Sequence, residues 1–286
     1  MSGLVAQRIT FSQALVKTSR WWPVALIAMF VAAAIFAPLI APYDPNAQNL
    51  VGRLKPPGTV SRTFHYWLGS DELGRDVLSR IIYGARISLT VAFASVILSG
   101  AVGVCLGMMA GYRRGWVEMV IMRVVDVFLS IPAILLAIIT VAVLGPSLLN
   151  VILVLVLTRW PRYARVAYGQ TLAVANMPYV RLSAFMGASA TRVLLRHVLP
   201  NIIGAITVVA TLEFGLMVLF EAGLSFLGLG VQPPTASWGA ILSVGRNYLA
   251  NAWWIATLPG ACLFLLVLAI NLIGDFVRDY LDPRIH

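Results

Sequence analysis

The sequence predicts an all-α, polytopic membrane protein with six transmembrane helices, and three observations point that way. Of 286 residues, 60% are hydrophobic and only 11% charged, against a usual charged share of about 25%, and the mean hydropathy is +0.88. The apolar residues gather into uncharged runs long enough to cross a bilayer. Arginine clusters separate those runs. A water-soluble domain of this size needs a far more charged surface, so a soluble globular enzyme, a disordered chain and a nucleic-acid binder are all excluded. The formal net charge of +10 is read as the basic excess on the cytoplasmic side of membrane spans. Cys105 and Cys262 both fall in apolar runs and are read as small buried hydrophobes rather than a disulfide framework or metal cluster.

A span needs about 20 apolar residues, because each adds about 1.5 Å across a hydrocarbon core about 30 Å thick. No charge occurs from Trp21 to Tyr43, Arg20 stops the run, and Trp21 and Trp22 sit where interfacial anchors belong. Span 1 is placed at 22–41. A cleaved signal peptide competes for this stretch, but its apolar part is longer than an ordinary signal core. The uncharged run Ile87–Tyr112, between Arg86 and Arg113, is span 2. The run Val127–Thr158 is too long for one helix and contains Gly145-Pro146-Ser147. A hairpin there returns Arg113 and Arg114 to the same side as Arg159, Arg162 and Arg165, which one tilted helix would not. Span 3 is then 119–144 and span 4 is 148–167. Span 5 covers 201–227 and holds Glu213 and Glu221. Span 6 covers 253–276 and starts at Trp253 and Trp254.

Six spans put both termini on one side, assigned to the cytoplasm. That orientation places 14 of the 21 basic residues inside, including Arg8, Lys17, Arg20 and Arg284. Residues 1–85 form a cytoplasmic N-terminal segment, the first span and an extracytoplasmic loop. Residues 86–286 form the core with spans 2–6 and a cytoplasmic loop at 168–200. In the outer stretch 231–252, Pro233-Pro234 prevents a continuous helix.

The chain carries little chemistry of its own. Its lysines, Lys17 and Lys55, do not follow glycine, so no glycine-rich phosphate loop can form. His65, His197 and His286 lack ligand spacing, and no metal or cofactor is expected. Ser225 lies in Gly223-Leu-Ser-Phe-Leu without a histidine in any span, which argues against an intramembrane serine protease.

Segment 168–200 is the most informative. Pro178 opens a short helix that reaches Ala188, Gly187 breaks it, and Ser189 caps a second helix ending before Pro200. Leu182, Phe185 and Met186 on the first helix suit docking into a partner's groove. An amphipathic pair resting on the membrane and fixed by Arg181, Arg192 and Arg196 accounts for the same pattern.

Gly187-Ala188-Ser189 followed by Arg196-His197-Val198-Leu199-Pro200-Asn201 resembles the cytoplasmic loop of the membrane subunits of binding-protein-dependent ABC importers. Leu68 to Arg80 (LGSDELGRDVLSR), Met122-Arg123 with Asp126 and Pro132, Arg162-Tyr-Ala-Arg165 with Gly169-Gln170, and Glu221 to Gly230 followed by Trp238-Gly-Ala-Ile-Leu resemble the C-type permeases of dipeptide and oligopeptide importers. The resemblance runs through nearly all of the chain after the first twenty residues. It implies the ABC importer permease fold, with coupling helices between spans 4 and 5, in a bacterial plasma (inner) membrane. It also implies a homologous second permease, two cytoplasmic ATPase subunits, an extracytoplasmic substrate-binding protein and a peptide substrate. Nickel or another small solute is the alternative cargo. A secondary transporter or a scaffold without transport is the rival class. The implied ATPase-coupling residues are Arg181, Leu182, Ser183, Phe185, Met186, Gly187, Ala188, Ser189 and Pro200. One departure stands out: where such loops begin Glu-Ala-Ala, this chain has Arg181-Leu182-Ser183.

A carboxylate inside a span must face protein or water, so Glu213 and Glu221 are candidates for the translocation path. On a helix they point about 80° apart. Glu213 is placed deeper, to meet a peptide amino group or to sit protonated against a neighbour. Glu221 has the rival role of bonding to the adjacent glycine-rich turn. Arg123 and Asp126 are expected to pair at i, i+3. Asp71, Glu72, Arg75 and Asp76 are candidates for contact with the binding protein or for a self-paired, solvated loop. Gly100, Gly103, Gly107 and Gly111 are spaced for close helix packing.

Overall fold

The computed structural model describes residues 21–61 and 64–281. The N-terminal placement, the basic residues Arg8, Lys17, Arg20 and Arg284, and the ends of the chain lie outside the described residues. Among the described residues the elements are helical apart from one two-stranded antiparallel hairpin, β1 (Thr59–Val60) with β2 (His65–Tyr66). Helix α1 (Trp22–Ile35) begins at Pro23 and passes through Phe36 into α2 (Ala37–Ile40), matching the first expected span.

Helix α3 (Val77–Arg113) is 37 residues long and starts ten residues before the expected span 2. The cause is local: the Asp76 side chain accepts the Ser79 N–H at 2.8 Å and the Ser79 hydroxyl at 2.7 Å, satisfying donors that otherwise limit a helix start. Arg80 and Arg86 are carried on this early part of the helix.

The third span is not one helix. It is α4 (Gly115–Ser130) and α5 (Ala133–Leu144), bent by 91°. Pro132 lacks the N–H that would continue the ladder and drives Ile131 to extended dihedrals. The hairpin at Gly145 forms as expected, with φ +81° and Ser147 capping α6 (Leu148–Ala175). Pro161 lies inside α6 without ending it.

The segment 168–200 supplies a second correction. Helix α7 (Pro178–Phe185) and the cap of α8 (Ala190–Val193) form where the sequence places them. The second helix does not stop before Pro200, however. It runs through a π-turn (Leu194–Val198) into α9 (Leu199–Phe226). Pro200 follows directly on the π-turn, whose last bond runs from the Leu199 N–H to the Leu194 carbonyl, and residues 190–226 form one rod. Beyond it come α10 (Trp238–Gly245) and α11 (Trp254–Leu281).

By length and apolar character, three of these helices could cross a membrane: Val77–Arg113, Ala190–Phe226 and Trp254–Tyr280; the bent α4–α5 pair gives a fourth. Helix α6 carries Arg159, Arg162 and Arg165, and α1 has only 14 residues.

The helices pack as the glycines direct. A Cβ on Gly103 or Gly107 would collide with the Trp160 or Ala164 carbonyl of α6, and one on Gly111 with Thr171. Backbone-to-backbone approach of α3 and α6 therefore needs glycine at these positions. A larger core joins α1, α3, α9, α10 and α11 through Phe30, Ala85, Met217, Trp238 and Leu266. Trp238 is fully buried there, donates its indole N–H to the Ile81 carbonyl at 2.9 Å and meets Phe30 edge-on at 5.4 Å.

Candidate coupling and translocation sites

The loop at 168–200 is a small platform held from behind. Val180 of α7 is buried with Val193, Val198 and Ile202, against Val104 and Met108 of α3. Three contacts tie α7 to the start of the long rod: Ser183 Oγ with His197 Nε2 at 3.2 Å, the Asn201 side-chain amide donating to the Tyr179 hydroxyl at 3.0 Å, and the Tyr179 and His197 rings at 6.0 Å. The opposite face is bare: Leu182 is 59% exposed, Phe185 88% and Met186 81%. Gly187 turns the chain at φ +89° with no neighbouring atom near its Cβ position, so only backbone conformation asks for glycine there. Ser189 caps α8 by accepting the Arg192 N–H. Ala188 is half-buried and Pro200 exposed. Arg181 donates to Asn176 Oδ1 at 2.8 Å. With Arg114, Tyr112 and Phe185 it lines a surface cavity of about 470 Å³.

The two carboxylates of α9 have different surroundings. Glu221 is fully buried; it accepts from Ser88 of α3 and from Ser225, both at 2.8 Å. Ser237, capping α10, reaches Ser225 at 3.4 Å. Glu221 thus bridges two helices instead of bonding to the glycine-rich turn after it. Glu213 is 2% exposed and sits between two arginines of α6. Arg162 Nη1 donates to its Oε1 at 2.9 Å, and Arg159 Nη1 lies 3.5 Å from its Oε2. Arg159 also lies over the Phe220 ring, 4.0 Å from its centre. Beside this cluster is a cavity of about 390 Å³ lined by Leu129, Arg162, Arg165, Val166, Val209, Leu212 and Glu213. In the sequence Arg159 stands as a topology marker and Arg162 as a marker and part of the Arg162-Tyr-Ala-Arg165 motif. Their i, i+3 spacing on one helix face was the available sign that they act together.

Asp126 pairs with Arg165 of α6, not with Arg123 on its own helix. Tyr168 of α6 donates to Glu118 of α4, so α4 is tied to α6 at two levels.

In the loop before α3 the four candidate charges turn inward, so the loop is self-paired but not solvated. Arg75 bonds Asp71 at 2.6 Å and Glu72 at 3.0 Å; Arg80 lies 3.5 Å from Asp71. Asp71, Arg75 and Asp76 are buried and Glu72 partly so. Burial, with the neighbouring Asp71 charge, raises the Glu72 carboxyl above its ordinary range. Burial also raises Asp76, against the lowering effect of its Ser79 hydrogen bonds. Tyr66, fully buried, donates to the Gly74 carbonyl at 3.0 Å and closes the loop.

Comparison with known proteins gives a consistent result. Residues 103–286 match the family described as binding-protein-dependent transport system inner membrane component, and residues 24–57 match the N-terminal TM domain of oligopeptide transport permease C. The chain is 43% identical over 258 residues to the di/tripeptide transport system permease protein DppC of Pseudomonas aeruginosa, covering 90% of this chain and 85% of that one. It is 40% identical over 259 residues to the glutathione transport system permease protein GsiD of Pectobacterium atrosepticum, covering 91% and 85%. Among solved structures, an inward-facing MetNI methionine ABC transporter matches with a TM-score of 0.56 at 22% identity, over 70% of this chain and 95% of that one. An amino acid ABC transporter matches with 0.52 at 15%, over 71% and 94%. These two likenesses show the fold alone.

Proposed function

The chain belongs to the family of binding-protein-dependent transport system inner-membrane components, and from that premise we propose that it is one permease subunit of an ATP-driven importer of di- or oligopeptides. In this reading it spans the bacterial inner membrane six times with both termini in the cytoplasm. It lines half of the translocation path beside a homologous second permease. Two ATPase subunits dock beneath, and an extracytoplasmic binding protein delivers peptide from above. The chain itself hydrolyses nothing: its work is transmission.

The observation that carries this reading is the rod from Ala190 to Phe226. At one end it is bonded to α7, whose Leu182, Phe185 and Met186 face outward; further along it carries Glu213, beside a cavity. A push on α7 by a closing ATPase reaches Glu213 without crossing a flexible joint, as coupling between distant sites requires. Asp71, Glu72, Arg75 and Asp76 serve here by stiffening the outer loop on which the binding protein lands.

The test is reconstitution. Vesicles holding both permeases and both ATPases, supplied with the binding protein and ATP, are expected to accumulate peptide. The chain alone is expected neither to bind nor to hydrolyse ATP. Hydrolysis by the isolated chain, or peptide uptake that persists without the ATPases, would overturn the reading.

A further inference from the structure

We propose that Arg162 is a receptor for the carboxylate of the transported solute, and that Arg159 takes over Glu213 when Arg162 lets go. This rests on the importer reading above and names the chemistry of its path.

The first ground is charge. Two guanidinium groups, Arg159 and Arg162, share one carboxylate, Glu213. The third arginine at the cavity, Arg165, is already matched by Asp126. The cluster therefore holds one positive charge in excess beside apolar walls formed by Leu129, Val166, Val209 and Leu212. An uncompensated charge in such surroundings is costly, and an arriving anion relieves it.

The second ground is the unequal state of the two arginines. Arg162 makes the good bond to Glu213, yet its side chain is 54% exposed and lines the cavity. Arg159 is 4% exposed, and among the described residues its Nε and Nη2 have no hydrogen-bond partner; Glu213 Oε2 has none either. Buried donors are seldom left unused. Arg159 Nη1 already lies 3.5 Å from the spare acceptor Oε2, so a shift of about 0.6 Å brings it to an ordinary hydrogen-bond distance. If Arg162 swings to a solute, Arg159 can hold Glu213 alone, so Glu213 is never left as an unpaired buried anion. Guanidinium suits this exchange because its planar fork binds a carboxylate by two parallel hydrogen bonds. The ligand class follows: a small solute with a free carboxylate, such as the C-terminus of a short peptide. Arg162 touches the ligand, whereas Arg159 is a positioning residue.

The experiment uses the complete transporter in nanodiscs. Arg162 is modified with phenylglyoxal and its rate read by mass spectrometry, with Arg165 as internal reference. The probes are dialanine, N-acetylalanine and alaninamide. At saturation the two carboxylates are expected to slow modification of Arg162 about tenfold, the loss of a charge-assisted bidentate contact, while alaninamide leaves it unchanged. Equal protection by all three, or by none, would overturn the proposal. Arg159→Gln is expected to weaken protection by N-acetylalanine and Arg159→Lys to restore it. Full protection in Arg159→Gln would remove the exchange and leave Arg162 a simple anion site. The same transporter, reconstituted into closed vesicles, is assayed for ATP-driven uptake. Absence of any uptake counts against the importer reading, whereas uptake without selective protection counts against this inference alone.

Discussion

Gly187 and Glu221 show how differently two residues can depend on their surroundings. At Gly187 nothing crowds the missing side chain, yet φ is +89°, a conformation that costs a β-branched residue about 1–3 kcal/mol. Gly187→Val is therefore expected to insert normally, because the spans are remote, and to lose peptide-stimulated ATP hydrolysis in the reconstituted complex. Full transport at normal expression would show that this loop does not carry the coupling. At Glu221 the surroundings are everything. Removing its carboxylate leaves the Ser88 hydroxyl without its acceptor and the Ser225 hydroxyl with only Ser237, 3.4 Å away, at about 1–3 kcal/mol for a buried group left unpaired. Glu221→Ala is expected to lower the melting temperature of the detergent-solubilised complex, and Glu221→Gln, which keeps an acceptor toward Ser88, to recover most of it. A melting temperature unchanged in Glu221→Ala would mean that the bridge is energetically idle.

At the scale of elements, the contact between α3 and α6 is the one most tightly specified by residue type. Gly103 and Gly107 meet the backbone of α6 directly, so no neighbouring side chain can rotate away to make room. Gly107→Val is expected to cost about 1–3 kcal/mol as an overpacked core position does, and to reduce the yield of folded protein on size exclusion. Gly100→Ala, which would meet Tyr163 only at 3.6 Å, is expected to behave as the parent. Equal loss in both would count against this contact as the cause, and helix propensity, which favours alanine and valine over glycine, would not account for it. The spacing of these glycines was legible in the sequence; that α6 was their partner was not, because spacing names a face but not what it faces.

For the whole molecule, the six-span topology makes a prediction that depends on every element at once. With Cys105 and Cys262 replaced, single cysteines at Arg114 and Arg278 are expected to resist an impermeant label added outside intact cells, and cysteines at Lys55 and Arg246 to react. All four positions are exposed on the protein surface, so a difference in labelling reports the side of the membrane. Reaction at Arg114, or protection of Arg246, would overturn the arrangement.

Composition, run length and breakers settled what depends on local rules. The helical class, the Gly145 hairpin, the Pro178 start and the Ser189 cap all rest on solvent transfer of apolar residues or on the dihedrals of single residues. The tertiary structure decided the rest. Pro132 separates two helices bent by 91°, Pro161 lies inside α6 without ending it, and Pro200 lies within the rod where the sequence predicts a helix end. The same imino acid gives three outcomes, because neighbouring helices and the position within the turn determine whether the lost N–H matters. Asp126 chose Arg165 over Arg123, and Glu213 found Arg159 and Arg162 on another helix. Ion pairs in an apolar interior are selected by which helices are brought together, over separations in the chain that no local pattern encodes.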